Sequence, residues 1–256
     1  MTRKTTNKEH ETTLCSTLTP CFRPSYGNEK TGGKSDGMMA IGYFPAAGIL
    51  YYKDGTPVSD CLGTCGNVDC SGCQKKCYAV SMVKRYKDAR KARIQNTLQL
   101  RNDIYQHFSD IKAAIIRDKI RVVRYTDSGE IETYQQFLLL ANLASALPAV
   151  HFYLYTKNYS VLREYFDKDG YEIPKNMVVL ISIWEDLGEK EFFEFRHHRN
   201  IKAFAVKPAT VKPEVMCPAY KIENGRVKLN KEMTCAKCGL CSGVHGNVQI
   251  IGCLEH

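Results

Sequence analysis

The sequence predicts an α/β protein: an incomplete (β/α) barrel of about six parallel strands, followed by a cysteine-rich module. Three observations predict this architecture. Short strand-like apolar runs alternate with helical segments between residues 37 and 210, as in parallel sheets with crossover helices. The run 177–183 is almost wholly apolar, as expected of a strand covered on both faces. Pro208, Pro213 and Pro218 then interrupt the regular pattern.

The individual elements follow from local composition and periodicity. β-branched and aromatic residues between turn formers predict strands at 39–44, 120–125, 151–155, 177–183 and 203–206. Apolar residues at helical spacing predict helices at 78–108 with a break near 101–103, and at 111–117, 134–146, 161–166 and 192–195. Strand and helix alternate along most of this stretch, so we expect the strands to pair in parallel.

Composition divides the chain into three segments. These are a polar N-terminal segment (1–36), the partial barrel (37–210) with a cysteine loop at 61–77, and a C-terminal cysteine-rich module (211–256). The start of the chain has no apolar stretch typical of a secretory signal, and no run approaches the ~18 apolar residues of a membrane span. We therefore expect a cytoplasmic protein with no membrane partner, in a compartment where thiols stay reduced.

Nine of the twelve cysteines form two groups. The first cysteine group is Cys61, Cys65, Cys70, Cys73 and Cys77, and the second is Cys217, Cys235, Cys238 and Cys241. Clustered cytosolic cysteines more often bind metal than pair with one another. In the second group, thiolates at every third residue plus a remote Cys-Pro suit the separate irons of a 4Fe-4S cluster. Zinc, which favours two Cys-x-x-Cys pairs converging on one ion, is the alternative.

All nine residues are metal-ligand candidates, for one or two 4Fe-4S clusters. A third cluster is arithmetically available if Cys15, Cys21 and Cys253 join the fifth thiol of the first group. The first group reads C-x3-C-x4-C-x2-C-x3-C, which indicates a metal site without indicating the metal, and a structural zinc knuckle is its alternative reading. It is not the C-x3-C-x2-C motif of radical S-adenosylmethionine enzymes, so the pattern does not decide whether S-adenosylmethionine binds.

The order of elements after the first cysteine group nevertheless resembles a radical S-adenosylmethionine barrel. The segment Asp127-Ser128-Gly129-Glu130 follows one predicted strand, and Lys157 follows the next. Carboxyl ends of parallel strands are where α/β proteins bind ligands. We therefore expect Asp127 to Glu130 to hold a cofactor or nucleotide, and Asp127, Glu130 and Lys157 are the candidate catalytic residues. The alternative for this segment is a turn that caps the following helix.

A block of basic residues follows the first cysteine group. Nine basic residues and the single acid Asp88 lie between Lys75 and Arg101, in a chain of net charge +9. Such a block indicates contact with a polyanion, either nucleic acid or a phosphorylated ligand. The alternative is a solvated helix face that offsets the charge of a thiolate-bound cluster.

Five short motifs are combined in this chain: Cys73-x3-Cys77-Tyr-Ala, Arg124-x-x-Asp-Ser-Gly-Glu130, Tyr155-Thr-Lys157, Cys217-Pro-Ala and Cys235-Ala-Lys-Cys-Gly-Leu-Cys241. Over residues 40–256 the chain resembles the phage- and plasmid-associated family named for gene product eighty-eight. The resemblance implies a barrel-like iron–sulfur domain of mobile elements, located in the host cytosol if a phage encodes it.

Two functions follow from these observations. The first is an iron–sulfur protein with redox or radical-type chemistry on a small molecule or nucleotide. The second is a non-catalytic nucleic-acid-binding protein, in which zinc or iron–sulfur sites only support folding.

Overall fold

The computed structural model describes residues 10–26, 32–66, 73, 77–168, 171–185, 187–230 and 232–254. Its centre is a seven-stranded sheet in which every pairing is parallel. Along the chain the strands are β1 (Met38–Ala40), β2 (Val122–Tyr125), β3 (His151–Thr156), β4 (Met177–Glu185), β5 (Ile201–Ala209), β6 (Val215–Met216), β7 (Tyr220–Glu223), β8 (Arg226–Leu229) and β9 (Ile250–Cys253). Strands β7 and β8 form a separate antiparallel hairpin.

The strand order in the sheet is β1-β2-β3-β4-β5-β9-β6. The first five strands are neighbours in the order of the sequence, so the crossovers between them advance in one direction without reversal. The prediction of a parallel α/β sheet is confirmed. Among the described strands, however, the sheet has seven members rather than about six, and it stays open between its edges β1 and β6 instead of closing into a barrel.

Strands β6 and β9 come from the C-terminal segment. They pair with each other, and β9 also pairs with β5. The Cys217 amide donates to the Gly252 carbonyl over 2.7 Å, which ties the end of β6 to β9. Strand β6 has only two residues, too few for alternation to be visible in the sequence. The segment 211–256 therefore supplies one edge of the sheet as well as the second cysteine group.

The helices connect and cover the strands. They are α1 (Tyr78–Arg85), α2 (Lys87–Asn102), α3 (Ile104–Arg117), α4 (Tyr134–Ala146), α5 (Tyr159–Asp167), α6 (Glu189–Phe195) and α7 (Cys235–Cys238). The expected break near 101–103 is confirmed, because the Asp103 carboxylate accepts the Gln106 amide and caps α3. A further break falls at Tyr86, between α1 and α2. In the part of the chain that the structure describes, no helix combines the length and the apolar composition needed to cross a membrane.

The two faces of the sheet bury different side chains, because successive strand residues point to opposite sides. On one face Val123, Phe152 and Val179 belong to the main core, which includes apolar residues of helices α2 to α6. On the other face Tyr153 and Val178 pack against the C-terminal segment, including its cysteines. We call these the helix face and the cysteine face. The C-terminal segment thus covers the sheet on the side away from the helices.

Candidate metal centre

The second cysteine group converges on the cysteine face. All four of its thiols, from Cys217, Cys235, Cys238 and Cys241, line one pocket. Cys217 directly follows β6, while the other three are carried by the short helix α7 and the turn after it. The structure therefore brings together, from two separated segments, the four thiols that the sequence predicts as one ligand set.

A glycine turn aims the last of these thiols into the pocket. The Thr234 hydroxyl oxygen accepts the Lys237 amide over 3.3 Å and caps the start of α7. Gly239 ends the helix with φ +64, and a Cβ there would lie 2.6 Å from the His245 ring. Only glycine tolerates both this φ and this close approach. The turn lets Cys241 line the same pocket as the helix cysteines.

Aromatic side chains of the sheet form the floor of the pocket. They are Tyr153 and Tyr155 of β3 and Phe204 of β5, with the Tyr155 and Phe204 rings packed edge to face 4.9 Å apart. The Tyr155 hydroxyl donates a hydrogen bond to the Cys241 thiol. These rings keep water away from the inner side of the thiols.

A zinc ion and a 4Fe-4S cluster require different distances between the four sulfurs that bind them. All four cysteines are in the described part of the chain, none of them is in a disulfide, and no three of their sulfurs lie mutually within 4.8 Å. A tetrahedral zinc ion, with Zn–S bonds of about 2.3 Å, would require sulfurs about 3.8 Å apart. A 4Fe-4S cluster binds each thiolate at a different iron and takes a wider set. Four thiolates can bind either a single zinc ion or the separate irons of a cluster, and the donor set suits both kinds of centre.

Burial shifts the pKa values of two thiols and one lysine on the cysteine face. Burial raises the pKa of Cys241 to about 12 and also raises the pKa of Cys238. Thiols of this kind lose their protons when a positive metal centre binds them. Lys202 lies on the same face, where its ammonium donates to the Leu240 carbonyl over 3.1 Å. Burial lowers the pKa of Lys202, and the nearby Cys241 opposes that shift.

The first cysteine group is divided in the structure. Cys61 forms a disulfide with Cys15, with 5.6 Å between their Cα atoms. The Asp60 carboxylate accepts the Cys15 amide over 2.6 Å. Cys15, Asp60 and Cys61 are the group of three candidate ligands found close together in the described ranges. The partner of Cys61 is thus Cys15, a residue of the N-terminal segment that belongs to neither cysteine group.

Cys73 and Cys77 form a second pair within this group. Their thiols are hydrogen-bonded, and this bond together with burial raises the pKa of Cys77. Cys65 is half-buried and outside any disulfide, while Cys70 lies outside the described residues. Directly after Cys77, the Tyr78 hydroxyl donates to the Asp127 carbonyl. The pair therefore lies near the carboxyl end of β2.

The segment Asp127 to Glu130, predicted as a ligand site, is buried and bound within the protein. The Asp127 carboxylate pairs with Arg93 Nη2 at 2.8 Å and with Arg124 Nη1 at 3.2 Å. The Ser128 hydroxyl accepts Arg93 Nε and donates to a backbone carbonyl of the loop after β1. The first half of the segment therefore joins α2, β2 and that loop.

The second half of the segment joins β2 to β3. The Glu130 carboxylate accepts the Thr156 hydroxyl over 2.7 Å and the Lys157 amide over 2.8 Å. Burial raises the pKa of Glu130, and these hydrogen bonds oppose that shift. Lys157, the third candidate catalytic residue, contacts the segment through its backbone. The segment therefore forms a buried turn, but it does not cap α4, because Thr133 does so. Its role as a ligand site stays a prediction.

The basic block does not form one continuous solvent face. Arg90 and Arg93 are 3% and 7% exposed: Arg93 binds Asp127, and Arg90 donates to the Tyr52 hydroxyl. Arg101 pairs with Glu132 and donates to two carbonyls of the cysteine loop. Partners within the protein already bind these three arginines, so they do not form one exposed face. Nucleic-acid binding by the block stays a prediction.

Part of the block does face solvent. Arg85 and Lys87 are exposed, while Lys75 and Lys76 lie outside the described residues. A signal for the inward arginines was present in the sequence. Arg90, Arg93 and Leu100 recur on one helical stripe, and such a stripe faces a core.

The chain was compared with known proteins. The model of a family described as Gene product 88 matches residues 20–243. No curated protein and no solved structure matches the chain. The matched span contains both cysteine groups and the segment Asp127 to Glu130, and it covers most of the chain. The chain therefore belongs to the gene product 88 family.

Proposed function

We propose that this chain is an iron–sulfur protein and that its second cysteine group holds a 4Fe-4S cluster used for electron transfer. The observation that carries the proposal is the convergence of four thiols from two separated segments on one pocket of the cysteine face. Thiols at every third residue from Cys235 to Cys241, joined by the remote Cys217-Pro218, support a cluster over a single zinc ion. A bound cluster would supply one-electron chemistry, while the side chains around it set its charge environment and keep water out.

Positive charge on the cysteine face supports this proposal. A cluster with four thiolates is anionic, and a buried anion needs compensation. Lys202 approaches from β5, and the Arg124 guanidinium lies over the Tyr155 ring at 5.1 Å from its centroid. Arg93 and Arg124 share the single carboxylate of Asp127, so this buried cluster of three charges carries a net positive charge.

The ligand count limits what this site does. Four protein thiolates occupy all four irons of a cubane, which leaves no iron to bind S-adenosylmethionine. Radical-type chemistry would therefore require a second cluster at the first cysteine group, with Cys73 and Cys77 among its ligands. The nucleic-acid alternative has less support, because Arg90 and Arg93 are internal.

Metal analysis tests the proposal. Protein purified without oxygen should contain iron and acid-labile sulfide, and Cys238→Ala or Cys241→Ala should each lose about four irons and four sulfides per chain. Cys21→Ala is the matched control: Cys21 lies outside both groups and its thiol accepts a hydrogen bond from Gln95, so its iron content should equal that of the wild type. Wild-type protein that holds only stoichiometric zinc would overturn the proposal.

A separate assay tests the radical-type version. Anaerobic protein is incubated with S-adenosylmethionine and a strong reductant, and 5′-deoxyadenosine is measured. Its formation in Cys241→Ala as well as in the wild type would assign that chemistry to the first cysteine group. No product from protein with intact clusters would end this version and leave the electron-transfer proposal standing.

A further inference from the structure

The Tyr153 hydroxyl has no hydrogen-bond partner among the described residues. Tyr153 is 1% exposed and lies in the middle of β3. A buried hydroxyl without a partner costs about 1–3 kcal/mol, and in native proteins such groups almost always find a partner. A group outside the described residues, such as a water or a bound ligand, is therefore the candidate partner of this oxygen.

The surroundings of Tyr153 indicate what is missing. Its side chain lines the same pocket as the second cysteine group, and its hydroxyl lies close enough to Cys235 and Cys241 to interact with their charge. The neighbouring Tyr155, with its ring 5.9 Å away on the same face, already donates to Cys241. Tyr153 thus shares one pocket with the thiols of the proposed cluster.

A second donor without a partner among the described residues lies on the neighbouring strand β2. Arg124 of β2 is in register with Tyr153, and its Nε is buried without a partner. Its Nη atoms are bound by Asp127 and Tyr78. An N–H can only donate and a hydroxyl can also donate, so the group that satisfies both is an acceptor. An anionic iron–sulfur cluster is an acceptor of the right charge for this place.

We propose that Tyr153 donates a hydrogen bond to a sulfur of the 4Fe-4S cluster and, together with Tyr155, raises its reduction potential. The inference rests on the proposed function. A donor at a cluster sulfur stabilises negative charge, and the reduced cluster carries more of it. Tyr153 would therefore tune the reduction potential of the cluster without being one of its ligands.

The test is a redox titration of anaerobic protein with iron content measured on the same sample. Tyr153→Phe removes only the hydroxyl, and we expect its midpoint potential to fall by about 59 mV, a tenfold change in the ratio of oxidised to reduced cluster at a given potential. Tyr165→Phe is the matched control, because Tyr165 is buried on the helix face and its hydroxyl donates to the Glu172 carbonyl over 3.1 Å. Its midpoint potential should equal that of the wild type.

A second variant keeps the ring and strengthens the donor. Replacing Tyr153 by 3-fluorotyrosine makes the hydroxyl more acidic, so the midpoint potential of the cluster should rise. If Tyr153→Phe fails to load iron, this variant tests the hydrogen bond in its place. Equal midpoint potentials in fully loaded wild-type, Tyr153→Phe and fluorotyrosine protein would overturn this inference. The Tyr153 hydroxyl would then donate to a water, and the proposed cluster would stand. Wild-type protein without iron would overturn the proposed function itself.

Discussion

At the residue scale, buried charges hold together elements that are distant in sequence. Asp127 pairs with Arg93 of α2 and Arg124 of β2, and all three side chains are at most 9% exposed. Removing one partner of such a set leaves an uncompensated charge in the interior. The segment around Asp127 is therefore required for the fold, whatever else it does.

Asp127→Asn should lower the free energy of unfolding by about 3–5 kcal/mol, because two buried guanidinium groups lose their counter-charge. Denaturant titration measures the loss. Glu132→Gln is the matched control, since Glu132 pairs with Arg101 where the two side chains are 20% and 34% exposed. Partly exposed pairs contribute about 0–1 kcal/mol. Equal losses in the two variants would contradict the structural role of Asp127.

Gly129→Ala should be far more damaging than Gly55→Ala. Both glycines have positive φ, at +76 and +85. A Cβ at Gly129 would lie 2.4 Å from Thr64 Oγ1, whereas nothing lies within 4 Å at Gly55. Strain alone costs about 1–2 kcal/mol, and the clash adds to it only at Gly129. Thermal unfolding of the two variants checks this, and a Gly129→Ala protein as stable as Gly55→Ala would count against the tight packing of this turn.

At the element scale, a buried polar chain joins the loop after β1, strand β2 and the helices α2 and α3. His107 of α3 is hydrogen-bonded through Nδ1 to the Gln99 side chain and through Nε2 to the Tyr43 hydroxyl, each over 2.9 Å. Tyr43 in turn is hydrogen-bonded to Tyr125 of β2. Burial lowers the pKa of His107 to about 4. The helix pair is thus held by hydrogen bonds to an imidazole that burial keeps uncharged at neutral pH.

Acidification should weaken this contact. The unfolded chain protonates His107 near its ordinary pKa of 6.5, whereas the folded protein takes up that proton only near about 4. The contribution is therefore fully present above pH 6.5 and is lost progressively as the pH falls to about 4, in total about 3 kcal/mol. Urea titrations across this window should show a smaller pH dependence for His107→Gln than for the wild type. Identical slopes in the two proteins would exclude His107 as the source.

At the scale of the whole molecule, the C-terminal segment adds two strands to the sheet edge and places the second cysteine group on the cysteine face. Helix α7 has no buried residue, and the β7–β8 hairpin is largely exposed. Apart from the side chains that pack on the cysteine face, such as Ala236 and Leu240, little of the described part of residues 217–241 is buried. We infer that the metal centre contributes much of the stability of this segment, as in small metal-binding domains.

Removing the metal should loosen this segment while the sheet stays folded. Hydrogen exchange of chelator-treated protein should show lost protection within residues 217–241 and retained protection in β2, β3 and β4, whose residues are almost all buried. Cys241→Ala provides the control, because it should already exchange like treated wild type and change little on treatment. Uniform loss of protection across the sheet would show that the centre stabilises the whole fold instead.

Much of the fold could be predicted from local pattern. The helix 134–146 was predicted with the bounds that the structure has, and β2 to β5 lie on predicted strands, because long periodic runs specify their own secondary structure. Strands β6 and β9 were missed because they are short and take their pairing from β5. Of the candidate site, the second cysteine group was predicted as a set, whereas Tyr153 and Arg124 were not assigned to it.

The sequence by itself determined which segments become strands and helices and which thiols lie within one loop of each other, since periodicity and spacing are local properties. The tertiary structure alone decided the partners of the charged groups. Arg93 meets Asp127 across 34 residues, and Cys217 meets the cysteines of α7 only because β6 pairs with β9. Such meetings depend on how strands distant in sequence pair with one another, which the alternation within a single strand constrains but does not specify by itself.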